Sequence, residues 1–512
     1  MSTIDEVKSA LEIGYTFQGE SIILGGAMFE KNTIPGLHIK MPLNTANRHG
    51  LIAGATGTGK TKTVQRLAEG LSEKGVSVLV MDVKGDLSGI AVPGNDHPKI
   101  QSRHEQIGLP WSPAQFPVEL LSISDEKGVK MRATVSEFGP ILFSKILELN
   151  ENQQGVINIV FKYCDDKKMP LLDLKDFRAV INYISNEGKD EVKEYGLVSS
   201  ASVGVIMRKL LELESQGADK FFGEKSFEVE DLLRKDENGF GYISVLRLAD
   251  MQEKPKLFST FMLCLLAEVY SKFPELGDKA APKLVIVIDE AHLIFRDATK
   301  ALMDQLEMVI KLIRSKGVGI FFCTQVPSDV PDIILSQLGA KFQHSMRAFT
   351  ANDRKDIRLV AQNYPSTKFY DTESLLTELG IGEAIVTVLN EKGSPTPLAH
   401  TMLCAPRSRM DILSPLEIDG IVSRSKISSQ YNEVIDRNSA YEMLKEKLDN
   451  ASEANQVENK GNARKVVEEE KSGIGDSIQA VTKNPLFKTV AREITRGLLG
   501  AIFGTSTRSR RR

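Results

Sequence analysis

Residues Gly54 to Thr61 read Gly-Ala-Thr-Gly-Thr-Gly-Lys-Thr, which fills every fixed position of the G-x-x-x-x-G-K-[ST] phosphate-binding pattern. The glycines let the backbone turn tightly, so that successive N–H groups point into one concavity where a helix N-terminus adds positive potential. The ammonium of Lys60 would reach the β- and γ-phosphates of a nucleoside triphosphate, and the Thr61 hydroxyl would ligate Mg²⁺. The phosphate-binding set is therefore Gly54, Ala55, Thr56, Gly57, Thr58, Gly59, Lys60, Thr61 and Lys62, with ATP and Mg²⁺ as the implied cofactors.

A second chemical element is Lys-Leu-Val-Ile-Val-Ile-Asp-Glu-Ala-His at 283–292. A run of β-forming apolar residues ending in two carboxylates is the end of a buried parallel strand, at the edge where open α/β sheets bind ligands. Asp289 can hold the Mg²⁺ shell directly or through water, and Glu290 is placed to polarise an attacking water as general base. The competing reading, a strand that ends in an acidic helix cap, is weaker beside a phosphate loop. Gln325 follows the apolar run Gly319–Thr324. An amide at a strand end can hydrogen-bond both a γ-phosphate and the lytic water, so Gln325 joins the catalytic set as a sensor of hydrolysis.

These groups need a scaffold that converges them. Apolar runs at 50–53, 76–81, 283–288, 319–324 and 382–389 read as strands, and helical patterns separate them, beginning with an amphipathic helix over Thr61–Lys74. That alternation predicts a mostly parallel sheet covered on both faces. Between Asp125 and Asp236 the pattern changes to three- and four-residue apolar steps, at Val129–Leu149, Gln153–Tyr163, Leu174–Ser185 and Ser200–Glu214. This is a helical insertion with a mixed surface charge, read as a packing and subunit-contact module.

Composition narrows the class. The chain has 512 residues with 41% apolar and 26% charged, as in soluble globular proteins, and its formal charge of −3 confines any nucleic-acid surface to a local patch. The four cysteines, Cys164, Cys264, Cys323 and Cys404, lie far apart without metal-ligand spacing. Reduced thiols and the lack of a signal-peptide pattern indicate a cytoplasmic protein. The apolar run Leu284–Ile288 is far short of the roughly twenty residues a membrane helix needs.

The motif order resembles the HerA/FtsK superfamily of ring ATPases, in particular the HerA-like helicase-domain branch with its YjgR-like bacterial proteins. The resemblance rests on Asn47–Thr61, Met81–Asp86, Val287–His292, Ile313–Gly319 running into Cys323–Ser328, and His344–Arg347 with Asn352–Arg354, and covers roughly residues 20 to 425. Asp289-Glu290-Ala291-His292 also fits a DEAH helicase, but over two hundred residues separate it from Lys60 and the remaining motifs of that class are missing. The resemblance implies a RecA-like P-loop NTPase working as a homohexameric DNA translocase or helicase. It also implies that Arg314, near the Lys316-Gly317 helix break, completes the site of a neighbouring subunit. The 45 or so residues before the loop are too few for the β-barrel that HerA proteins carry there.

The expected organisation is a short N-terminal β segment at 1–45, then the RecA-like ATPase core at 46–125 and 237–425 around the α-helical insertion at 126–236. A polar helical linker follows at 426–483, and a basic amphipathic C-terminal helical tail at 484–512. In the tail, Leu486, Phe487, Val490, Ile494, Leu498, Leu499, Ile502 and Phe503 share one helical face, while seven Lys and Arg against Glu493 give a charge of +6. Such a helix docks on the ring, on an anionic membrane surface or on DNA. The function this predicts is Mg-dependent ATP hydrolysis by a DNA motor. The alternative is an ATP-gated ring scaffold that assembles partner proteins without moving along DNA.

Overall fold

The computed structural model describes residues 3–450 except 278–279, 297–299, 434 and 436. The tail at 484–512 and the linker beyond residue 450 lie outside the described residues. Contacts divide the chain into Met1–Leu444 and Lys445–Arg512; in the second unit only 445–450 are described, and they are helical.

The first unit is organised by one twelve-stranded sheet. Its strands are β1 (Ser21–Phe29), β2 (Asn32–Pro42), β3 (Gly50–Ala53), β4 (Ser77–Asp82), β5 (Val118–Ser122), β6 (Val129–Lys130), β7 (Ile243–Arg247), β8 (Leu284–Ile288), β9 (Val318–Thr324), β10 (Ala340–Gln343), β11 (Glu383–Thr387) and β12 (Ala399–Leu403). They lie in the order β2-β1-β12-β11-β10-β3-β9-β8-β4-β7-β5-β6. From β10 to β6 every pairing is parallel. From β10 through β11, β12, β1 and β2 every pairing is antiparallel. The strand expected at 382–389 is thus present as β11 but runs against its neighbour. Residue pattern reports that a segment is buried and extended, while its direction is set by the connection before it.

The parallel strands are buried on both faces, as β8 shows with all five residues inside. The Lys60–Glu73 helix lays Val64, Leu67, Ala68 and Leu71 on one face, in one cluster with Ile52, Val78, Val80 and Val287. These residues recur at the i, i+3, i+4, i+7 spacing of an apolar stripe. Gly70 lets this helix approach β1: a Cβ there would lie 2.5 Å from Ile22. On the other face Phe295 meets Phe322 of β9, at 5.6 Å between ring centroids. Burying the alternate residues of a strand under both layers is what holds its C-terminal end, and hence the site, in place.

The helical segment between β6 and β7 contains helices at Val135–Ile146, Glu151–Lys167, Leu174–Ser185 and Ser200–Ser215. Thr134/Glu137, Asn150/Gln153 and Asp173/Asp176 form capping boxes that fix three of the starts. Val129–Leu149 does not form the single helix its periodicity predicts. It opens with β6, and its helix is broken at Gly139 (φ 65°) before Pro140, which lacks the N–H needed to continue the ladder. The N-terminal region likewise holds more than strands, because Thr3 caps a helix at Ile4–Gly14 that buries Val7 and Leu11. Among the described residues no helix is long and apolar enough to cross a membrane.

Candidate functional site

Strand register brings the chemical groups together. Ala53 pairs with Thr324, and Ile288 pairs with both Met81 and Phe322. The residues just beyond β3, β4, β8 and β9 therefore open onto one edge. The Gly54–Lys60 loop leaves β3 there and enters the Lys60–Glu73 helix through Gly59, whose φ is 111°. Gly54 is required by space as well as by its φ of 151°, since a Cβ would lie 2.5 Å from the His344 Cβ. The chain that follows β10 and precedes β11 braces the loop from outside. The Ala55 N–H donates to the Ser345 carbonyl at 2.9 Å, and the Gly382 N–H to the Thr58 carbonyl at 2.9 Å. Arg347 donates to the Thr56 carbonyl at 3.1 Å.

Within the loop, the Lys60 ammonium donates to the carbonyls of Gly54 (2.6 Å) and Ala55 (3.1 Å). Its pKa is lowered, chiefly by burial. The Thr61 hydroxyl donates to Asp86 Oδ2 at 3.2 Å. Lys62 sends its ammonium to the Met410 carbonyl. What Lys62 can offer a phosphate is its N–H in the first helical turn.

Asp289 and Glu290 follow β8 directly and are both buried. Burial raises the Asp289 pKa to about 6, against the pull of the Lys84 ammonium. Its Oδ2 and the Asp86 Oδ1 are buried without a hydrogen-bond partner. Together with the Thr61 hydroxyl these are hard oxygen donors of the kind a small divalent cation takes. Glu290 has a φ of 48°, a left-handed conformation costing of order 1–3 kcal/mol in a non-glycine residue. Its carboxylate pairs with Lys84 and lies 3.2 Å from His292 Nδ1. Gln325 sits one residue past the register partner of Ala53, with an exposed side chain.

Arg314 is elsewhere. It lies in a short turn just before β9, at the N-terminal ends of the parallel strands. The seven residues of β9 separate it from the edge that holds Gln325, roughly 20 Å at 3.3 Å per residue. There Arg314 lines a groove of about 560 Å³ with Arg48, His49, Lys311, Lys341 and Asn363. It cannot reach the phosphate loop of its own chain.

Several residues of the site were not singled out from sequence. Asp82 is buried at the end of β4 and accepts N–H bonds from Gly85 (2.7 Å), Asp86 (3.2 Å) and Leu87 (3.1 Å). It braces a turn that carries Lys84 to Glu290 and Asp86 to Thr61. Burial raises the Asp82 pKa to about 7 despite those bonds. The signal was available in three charges crowded directly after a buried strand. His344 was also missed as a brace: it is buried, its Nε2 is 2.9 Å from the Thr63 hydroxyl, and burial holds its pKa at about 4.

The family model described as Helicase HerA-like C-terminal matches residues 29–511. The DNA double-strand break repair helicase HerA of Sulfolobus acidocaldarius is 22% identical over 372 residues, covering 68% of this chain and 64% of that protein. Its namesake in Sulfurisphaera tokodaii is 25% identical over 362 residues, again covering 68% and 64%. The chain thus spans a little under two thirds of the length of these relatives. Among solved structures, the bacterial conjugative coupling protein TrwB, in its truncated unbound form, superposes with a TM-score of 0.51 at 14% identity, over 79% of this chain and 94% of that one. The likeness shows a common RecA-like P-loop fold.

Proposed function

The chain belongs to the HerA-like helicase C-terminal family of P-loop ATPases, and from that premise we propose that it is a Mg-dependent ATPase, built as a homohexameric ring, that translocates on or remodels DNA. The observation that carries the reading is the convergence of Lys60, Thr61, Asp289, Glu290 and Gln325 on one edge of the sheet, with Arg314 at the other. Phosphoryl transfer to water depends on positioning and charge neutralisation. Lys60 leaves the loop carbonyls for the β- and γ-phosphates, and the loop N–H groups hold the rest of the chain of phosphates. Glu290 accepts the proton of the attacking water, and Gln325 orients that water against the γ-phosphate. Thr61, Asp289 and Asp86 would hold Mg²⁺, which supplies charge neutralisation on the phosphates.

Arg314 lies at the far end of β9 from its own loop; in this reading it acts on the nucleotide of a neighbour, and a head-to-tail ring meets that need. DNA as the track follows from what the HerA relatives are named for. A cytoplasmic location is part of the same reading. The test is ATP hydrolysis by the purified chain with and without duplex DNA at two salt concentrations. Stimulation by DNA that weakens with salt supports the motor. Hydrolysis indifferent to DNA favours the ring scaffold, and a monomer by size-exclusion light scattering at working concentration overturns the ring.

A further inference from the structure

We propose that Lys84 is a second lysine of the hydrolytic centre, handed from the Glu290 carboxylate to the γ-phosphate when ATP binds. This rests on the ATPase reading and deepens it. The Asp82-braced turn delivers Lys84 to the buried Glu290 carboxylate, the group that must receive a proton. Lys84 also lies within electrostatic reach of Asp289 and of Lys60, whose ammonium marks where the β- and γ-phosphates go. One turn thus addresses both halves of the site, with Asp86 on Thr61 and Lys84 on Glu290.

While the Lys84 ammonium sits against a Glu290 carboxylate oxygen, that oxygen is covered and cannot meet a water. The γ-phosphate is the stronger anion, and a lysine side chain two-thirds covered has the length to swing between neighbours. Moving Lys84 frees Glu290 at the moment substrate is present and places a positive charge where the transition state gathers negative charge. In the step itself the water oxygen bonds to the γ-phosphorus as the bond to the β,γ-bridging oxygen breaks. The water proton passes to Glu290, and ADP and phosphate leave. Lys84 exchanges no proton; it stabilises charge.

The experiment compares Lys84→Met, Lys84→Arg, Lys60→Ala and Glu290→Gln with the parent in the full chain. It reads kcat and KM for ATP and the Kd of a fluorescent N-methylanthraniloyl ATP. Lys84→Met is expected to lower kcat by roughly 10²–10³-fold, as for loss of one preorganised donor, with Kd within threefold of the parent. Lys84→Arg restores part of kcat, which a merely structural role of the turn would not produce. Adding Lys84→Met to Glu290→Gln costs little more than Glu290→Gln alone, because the two groups act as a unit. A Lys84→Met kcat within threefold of the parent overturns the inference while leaving the ATPase intact. So does a loss of nucleotide binding as large as that of Lys60→Ala. A parent chain without turnover overturns both.

Discussion

The two ends of the central parallel strands treat charge in opposite ways. At the C-terminal ends, Lys60, Asp82, Asp289 and Glu290 are all buried, and Lys84 sits among them. Buried charges are tolerated only when paired or hydrogen-bonded, and each of these has a partner within the same chain. At the N-terminal ends, Arg314 and Lys311 are exposed around an open groove that contains no carboxylate. One end gathers its charges inside the fold, the two lysines against loop carbonyls and a carboxylate. At the other, Lys311 is paired with Glu307, but no carboxylate lines the groove beside Arg314 and Lys341, which in the proposed ring suits a surface that meets another subunit's phosphates.

The comparison breaks first if the buried end is not the hydrolytic one. Lys60→Ala removes the ammonium at the centre of the loop and is expected to abolish nucleotide binding or turnover. Glu290→Gln should retain ATP and stop hydrolysis, since only the proton acceptor is lost. Turnover of Glu290→Gln at the parent rate, measured as phosphate release, assigns the base to another residue.

Next comes the exposed end. Arg314→Ala is expected to slow hydrolysis by about 10³–10⁵-fold, the range of a trans-acting arginine, with nucleotide affinity little changed. Because the intact Lys60 loop of an Arg314→Ala subunit can meet the intact Arg314 of a Lys60→Ala neighbour, combining the two in a mixed ring should recover part of the activity. Mixed rings as dead as either parent would place Arg314 outside the neighbour's site.

A smaller effect separates Gln325 from the buried pair. Its side chain is exposed and lies beyond the strand, so in the proposed reading it would orient the attacking water without supporting the fold. Gln325→Ala should lower kcat by roughly tenfold, about 1.4 kcal/mol, at unchanged thermal midpoint. A fall in midpoint of several degrees would make it a structural residue.

How far sequence led differs between the two ends for the same physical reason. The loop at Gly54–Thr61 and the strand ending at Asp289 advertise themselves because their residues are contiguous and each type has one use. Lys84, Asp86 and His344 work through partners hundreds of positions away or across a turn, and no local pattern encodes a register such as Ala53 beside Thr324. Arg314 was placed by resemblance. Only the strand direction shows that it lies at the opposite end of β9 from its own loop. The break at Gly139-Pro140 was legible in the residue types, yet a helical periodicity on both sides hid it. The antiparallel half of the sheet was hidden because alternation is blind to direction.

The last contrast concerns what the two ends share. Each is braced by a buried neutral histidine: His49 at the start of β3 and His344 just past β10. The Ile320 N–H donates to His49 Nδ1 at 3.0 Å, so the Nε2–H donates to the Ile310 carbonyl at 2.9 Å, an arrangement that requires the neutral ring. Burial lowers both pKa values to about 4, from 6.5 in the unfolded chain. The unfolded state therefore binds more protons between pH 6.5 and 4, so the stability these rings contribute is complete above pH 6.5 and is lost as pH falls toward 4. Each shift is worth at most about 3 kcal/mol. His49→Asn tests this, since asparagine tolerates the φ of 57° and can still accept the Ile320 N–H through its amide oxygen. Urea midpoints at pH 7.5 and 5 should show the variant less stable at pH 7.5 but losing less on acidification than the parent. An equal loss in both would mean that His49 carries none of the acid sensitivity, leaving His344, behind the phosphate loop, as the ring through which acid reaches the site.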